Sequence, residues 1–243
     1  MTELSDRRLS RRHFLAALGL GAATSLAGCS TGGRRAILLS ANDGYGGYGG
    51  YGDDGTAGID YASMYGPIED EGYLIPGIDL KRVPPEFYRQ EVADPTGMAP
   101  GTVVIDTEGR HAYFTQGGGR AMRYGVGIGR QGFSWSGNAV MQWKRKWPTW
   151  TPPSEMIDRQ PELEKYRNGG QQPGLKNPLG ARALYLFQNK QDTLYRLHGT
   201  PEYWTIGKAV SSGCVRFMNH DIIDLYDRVP NGSPVVVLQS GMV

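Results

Sequence analysis

The chain has 243 residues, with 26 Lys and Arg against 24 Asp and Glu, for a formal net charge of +2. Four of those arginines and two of the acids fall within the first 28 residues, so the remainder carries 22 basic and 22 acidic groups and is close to neutral. That balance argues against nucleic-acid binding, which needs a basic patch, and only four histidines with two cysteines outside any CxxC spacing argue against a zinc site.

The N-terminus is a targeting segment. Arg11-Arg12 precede Phe14-Leu15 and a 14-residue run of small and apolar residues ending at Ala27. That run is shorter than the roughly 20 apolar residues a membrane-spanning helix requires. The paired arginines match a bacterial twin-arginine export signal. The stretch LAGC, Leu26 to Cys29, resembles a lipobox, which implies cleavage before Cys29 and lipid on its thiol. The alternative is an uncleaved anchor with an idle thiol, and both readings hold Cys29 at a membrane. Ser30, not Asp, follows Cys29, which favours the periplasmic face of a Gram-negative outer membrane as the location of a lipid-anchored protein.

Residues 30–77 include NDGYGGYGGYGDDGTAG, a Gly/Tyr repeat poor in aliphatic residues, read as a spacer without fold. The organisation expected is a signal over 1–28, a linker and edge segment over 29–97, and one domain over 98–240, a usual domain size. As a Gly-rich coil, the 69 residues from Cys29 to residue 97 would span about 45 Å.

Seven stretches have β-branched or aromatic content bounded by Gly, Pro or Asn: TVVIDT, RHAYFTQ, MRYGVGIG, AVMQWK, RALYLFQ, TLYRLHG and PVVVLQ. The basic segment WKRKW (143–147) is read as a solvated strand edge. PPSEMIDRQPELEKYRNG (152–169) is helical, broken by Pro161, and reads as an insertion near a cleft. NHDIIDLYDRV (219–229) predicts a helix with Asn219 as N-cap and Ile222, Leu225, Tyr226 and Val229 on one face. The fold class expected is mainly β, a curved or sandwich-like mixed sheet with one or two helices.

With Cys29 assigned to lipid, Cys214 is the remaining thiol of an exported chain, where oxidising conditions usually pair thiols or select against them. It lies in SSGCVRF (211–217), among polar and conformationally permissive residues. Sixteen residues upstream, YRLHGT ends a period-2 pattern at His198-Gly199. A thiol and an imidazole suffice as nucleophile and base, although residues distant in sequence need not meet in space, and a buried apolar cysteine is the competing reading. His111, in an alternating strand pattern, and His220, at a helix start, read as surface or capping residues; His13 lies in the export signal.

HGT at 198–200 followed by SSGCVR at 211–216 resembles the signature of the L,D-transpeptidase catalytic domain family, also called YkuD-like. GTVVIDT (101–107), RYGVGIGR (123–130), WPTWTPP (147–153) and NPLGARALYL (177–186) extend the resemblance over roughly residues 98–240. It implies that Cys214 is the nucleophile, that His198 activates it, and that the Gly199 carbonyl orients the imidazole. Ser211 matches the Ser/Thr that opens the motif. Ser212 stands where part of the family has a second histidine, leaving His198 as the imidazole. Gly213 supplies backbone freedom beside the thiol, and backbone N–H groups around Gly213 and Cys214 are oxyanion donors. Arg216 either binds a substrate carboxylate or holds the loop by a salt bridge.

The reaction implied is acyl transfer from a peptidoglycan tetrapeptide stem to an amine, on another stem or on a protein lysine, with no cofactor and no metal. A cysteine peptidase or amidase acting on stem peptides, and a non-catalytic wall-binding lipoprotein, are the alternatives.

Overall fold

A computed structural model of the chain describes residues 58–129, 136–211 (at Ser211 the backbone alone) and 213–239. The export signal, Cys29, nearly all of the Gly/Tyr repeat and the Ser212 position lie outside the described residues. In chain order the elements are α1 (Tyr61–Met64), β1 (Ile68–Asp70), β2 (Tyr73–Ile75), β3 (Gln90–Ala93), β4 (Val103–Asp106), β5 (His111–Thr115), β6 (Arg120–Gly125) and β7 (Ile128–Gly129). They continue as β8 (Gly137–Lys146), α2 (Ser154–Arg159), β9 (Arg182–Gln188), β10 (Gln191–Thr200), β11 (Ala209–Ser211), β12 (Val215–Met218), α3 (Asn219–Arg228) and β13 (Ser233–Leu238).

Among the described residues, nine strands form one mixed sheet in the order β12-β10-β9-β8-β13-β4-β5-β6-β3. β10 runs parallel to β12 and β13 parallel to β4, the other neighbours being antiparallel. Val103, Val104 and Ile105 of β4 are fully buried, as expected of a near-continuous apolar strand covered on both faces. The fold is therefore mainly β with a large mixed sheet and few helices, and each of the seven stretches read from β-branched and aromatic content contains a strand. Ile222, Leu225 and Val229 share the core with Leu184, Leu186 and Leu197, so α3 covers β9 and β10 from one side. The insertion is helical at Ser154–Arg159 and again, as a 3-10 turn, at Pro161–Tyr166; Pro161 opens a new turn because it cannot continue the first.

Four expectations change. Residues 58–77, read as part of an unfolded spacer, are folded together with 78–97, so a 69-residue coil does not hold. This segment packs through aromatic rings, aliphatic residues and polar anchors. Tyr65, Val83, Phe87 and Tyr88 form a buried cluster with Ile206 and Met218. The Tyr65 hydroxyl donates to the Asp221 carboxylate (3.1 Å) and accepts the Arg89 N–H (2.7 Å). Asp70 accepts from Trp147 Nε1 and from both terminal nitrogens of Arg182, each at 2.7 Å. β3 then joins the sheet at the edge, beside β6.

His220 is buried, not a surface group, because its Nε2–H donates to the Gly66 carbonyl of this clasp (2.7 Å). His111 is half-buried, with Nε2 on the Glu86 carbonyl. WKRKW is not an edge: β8 lies between β9 and β13, Trp143 stacks on Tyr185, and the Lys144 ammonium donates to the Tyr226 and Val229 carbonyls at the end of α3. A cation is favourable at that helix end. Finally, Asn219 is not the N-cap. β12 runs straight into α3, so Met218 takes the cap position without a side-chain bond, and Asn219 Oδ1 instead accepts the Ala181 N–H (3.0 Å).

Candidate active site

The two motifs meet because β10 and β12 are adjacent and parallel. Leu197 pairs with Val215, and His198 with Arg216. A Cβ built on Gly199 would lie 2.3 Å from Asn219 Oδ1 and 3.0 Å from Ile222 Cγ2, so the Gly199 face is the one covered by α3, and only glycine fits there. Successive residues of a strand face opposite ways, which turns His198 and Arg196 to the other side together with Arg216. One register step before Val215 places Cys214 beside Arg196 and diagonal to His198. A strand spacing of about 4.8 Å and a rise of about 3.3 Å per residue put the two Cα atoms about 8 Å apart.

His198 Nδ1 lies 2.6 Å from the Gly199 carbonyl oxygen. A carbonyl only accepts, so Nδ1 carries the proton and Nε2 is the basic nitrogen. This is the contact expected of Gly199. The imidazole is buried, and burial, helped by the nearby charges of Arg216 and Arg196, pushes its pKa down to about 4 against the raising effect of the Gly199 bond. Burial also pushes the Cys214 thiol up from its ordinary value, opposed by a bond from the Arg196 backbone N–H and by the charges of Arg196 and Arg216. The resting pair is therefore a neutral thiol and a neutral imidazole, and the proton moves during attack.

Gly213 has φ 146, a conformation that side-chain-bearing residues rarely adopt, and it turns the chain directly into Cys214. Ser211 closes β11, paired with Gly129 of β7; its side chain and all of Ser212 lie outside the described residues. Arg216 donates from Nη1 to Glu202 Oε2 (3.1 Å) and exchanges backbone hydrogen bonds with Gly127 (2.8 and 2.9 Å). Of its two expected roles the loop salt bridge is present, with Glu202 half-exposed. Among the described residues no group of three or more His, Cys, Asp and Glu is arranged to hold a metal ion.

Sequence reasoning missed Asn219, wedged against Gly199, and three residues of β10, Asp192, Leu194 and Arg196. The thiol donates toward the Leu194 carbonyl at 3.9 Å. A polar cleft of about 160 Å³ lined by Gln188, Gln191, Asp192, Thr193 and Tyr195 opens beside this turn. The period-2 pattern of YRLH carried a signal for Arg196, since it puts residues 196 and 198 on one face.

Residues 100–237 match the model of the YkuD family, the L,D-transpeptidase catalytic domain. A probable L,D-transpeptidase, YbiS, of Escherichia coli K12 is 33% identical over 156 residues, 60% of this chain and 47% of that protein. The putative L,D-transpeptidase YkuD of Bacillus subtilis is 46% identical over 75 residues, 31% of this chain and 40% of that protein. The chain thus spans about half the length of the curated relatives it matches. A crystal structure described as a probable carnitine operon oxidoreductase from Brucella melitensis is 46% identical, covering 66% of this chain and 99% of that one, with a TM-score of 0.46. At that score the superposition carries no argument, and the description stays with that protein. The family match covers more than half of the chain, including both strands of the Cys214/His198 site, and on that ground the chain belongs to the L,D-transpeptidase catalytic domain family.

Proposed function

We propose that this protein is a peptidoglycan L,D-transpeptidase with Cys214 as nucleophile and His198 as base. The observation that carries the reading is the His198 Nδ1–Gly199 carbonyl bond, which leaves Nε2 basic on the sheet face that the register gives to Cys214. Nε2 takes the thiol proton as sulfur attacks the carbonyl of the third stem residue. The C–N bond to the terminal D-amino acid then breaks, and the imidazolium returns the proton to the leaving amine. An acceptor amine attacks the thioester, gives its proton to His198, and releases the thiol. Backbone N–H groups at Gly213 and Cys214 are assigned to the oxyanion. Arg216, held by Glu202, steadies the turn or meets a stem carboxylate. Both the cross-linking of a second stem and attachment to a protein lysine fit this chemistry.

Incubation with purified tetrapeptide muropeptides, followed by mass analysis, tests the reading. The expected products are a stem acyl group on Cys214 and an amine-linked product. Tripeptide alone marks a hydrolase, and the absence of any acyl-enzyme overturns the reading.

The supporting features for location are Arg11-Arg12, LAGC ending at Cys29, and Ser30; no helix of the described residues is long and apolar enough to cross a membrane. A twin-arginine signal over 1–28 exports the folded chain, and lipid on Cys29 holds it at the periplasmic face of the outer membrane, within reach of peptidoglycan. Replacing Cys29 by Ser is expected to release the protein from membranes or leave its precursor uncleaved. Replacing Arg11-Arg12 by Lys-Lys is expected to retain it in the cytoplasm. A wild-type mature N-terminus elsewhere than Cys29 overturns the lipobox reading alone.

A further inference from the structure

β10 does not run straight into His198. Between Asp192, paired with Phe187, and Arg196, paired with Tyr185, β10 has three residues where β9 has one, so two extra residues form a bulge. Leu194 sits in it at φ 63 with 77% of its surface exposed, an uncommon conformation for a residue other than glycine. Side chains knit the bulge together. The Thr193 hydroxyl donates to the Leu186 carbonyl (2.7 Å), Asp192 accepts the Leu194 N–H (2.8 Å), and the same carboxylate grips both terminal nitrogens of Arg196 (2.6 and 2.7 Å). The guanidinium also donates to the Tyr195 carbonyl (2.9 Å) and lies 4.4 Å over the Tyr185 ring, which stacks on Trp143 at 3.5 Å. Its side chain is only 15% exposed.

This arrangement delivers two backbone groups to the cysteine. One is the Leu194 carbonyl, 3.9 Å from Sγ. The other is the Arg196 backbone, which the β10–β12 register sets beside Cys214 and whose N–H favours the thiolate. We infer that Arg196, clamped by Asp192 and Tyr185, is a positioning residue that sets the reactivity of Cys214, with Asp192 tempering its charge; this rests on reading Cys214 as the nucleophile. The resting thiol donates to the Leu194 carbonyl. When His198 removes its proton that bond is lost, and the thiolate is met by the Arg196 N–H and the fixed guanidinium. Among the described residues, the charged and titratable groups set against the sulfur are Arg196 and Asp192 from the bulge, His198 from β10, and Arg216 with its partner Glu202. The Tyr195 ring lies 3.5 Å from where a Gly213 Cβ would stand.

The test uses the full chain carrying Cys29→Ser, in which Cys214 is the sole thiol, and the pH dependence of its alkylation by iodoacetamide. Removing the guanidinium in Arg196→Gln is expected to raise the alkylation midpoint by about one pH unit, because an opposite charge no longer favours the thiolate. Unmasking it in Asp192→Asn is expected to lower the midpoint by about half a unit. A merely structural bulge gives midpoints that stay at the wild-type value or move in the same direction in both variants, and either pattern overturns the inference. If Arg196→Gln fails to fold by far-UV circular dichroism, Asp192→Asn decides alone: a lower midpoint supports the inference, and an unchanged or higher one overturns it. Alkylation needs no stem peptide, so its outcome is separate from a failure of acyl transfer.

Discussion

Burial does more than any neighbour to set the resting state of Cys214 and His198, moving their pKa values apart in the directions that keep both neutral. One consequence is an acid limb of kcat/KM, which reports free-enzyme groups, near pH 4 and not near the ordinary imidazole value; a limb between pH 6 and 7 in a stem-peptide assay contradicts it. His198→Ala is expected to slow acylation by about 10²- to 10⁴-fold. Cys214→Ala is expected to abolish the acyl-enzyme while leaving the thermal transition in place, both read by intact-protein mass and calorimetry. Cys214 and His198 were legible as a candidate pair because HGT and SSGCVR are contiguous motifs. Asn219, Asp192 and Leu194 were not, since each acts through a register or bulge that only the paired strands define.

At the scale of elements, runs of β-branched and aromatic residues exposed most strands of the large sheet but not β3, β12 or the β1–β2 hairpin, which are three or four residues long and offer no such run between turn residues. The clasp was hidden for a different reason: polar bonds anchor it. Arg182 is 2% exposed and depends on Asp70, whose carboxyl the Arg182 bonds hold below its usual range. Asp70→Ala strands that guanidinium and is expected to cost about 3–5 kcal/mol in urea unfolding. Asp221, fully buried, is pushed up to about 7 by burial against the pull of Arg89 and the Tyr65 bond. A carboxyl raised in the folded state contributes stability that is complete below its unfolded pKa, about 3.9, and is lost as pH rises through 7. The stability of wild type relative to Asp221→Asn is therefore expected to fall between pH 5 and 8; a difference that is constant or widens in favour of wild type contradicts the assignment.

For the molecule as a whole, the family match begins at residue 100, yet the clasp before it covers the buried face of Met218 and Ile206 and neutralises Arg182. A chain starting at residue 58 is expected to melt within a few degrees of the full protein. One starting at residue 98 is expected to melt at least about 10 °C lower, because a loss of several kcal/mol moves Tm by about 2–4 °C per kcal/mol at this size; equal transitions for the two chains overturn this. The aromatic content of the segment was visible, but its docking on α3 was not, since Tyr65 and Asp221 are 156 residues apart. That docking also has a mechanical side. A pull applied at residue 58 loads the Tyr65, Gly66 and Arg89 bonds to His220 and Asp221. Those bonds are expected to act as a fuse: in a pulling experiment the clasp should yield first, before the pairing of β10 with β12 that carries His198 and Cys214.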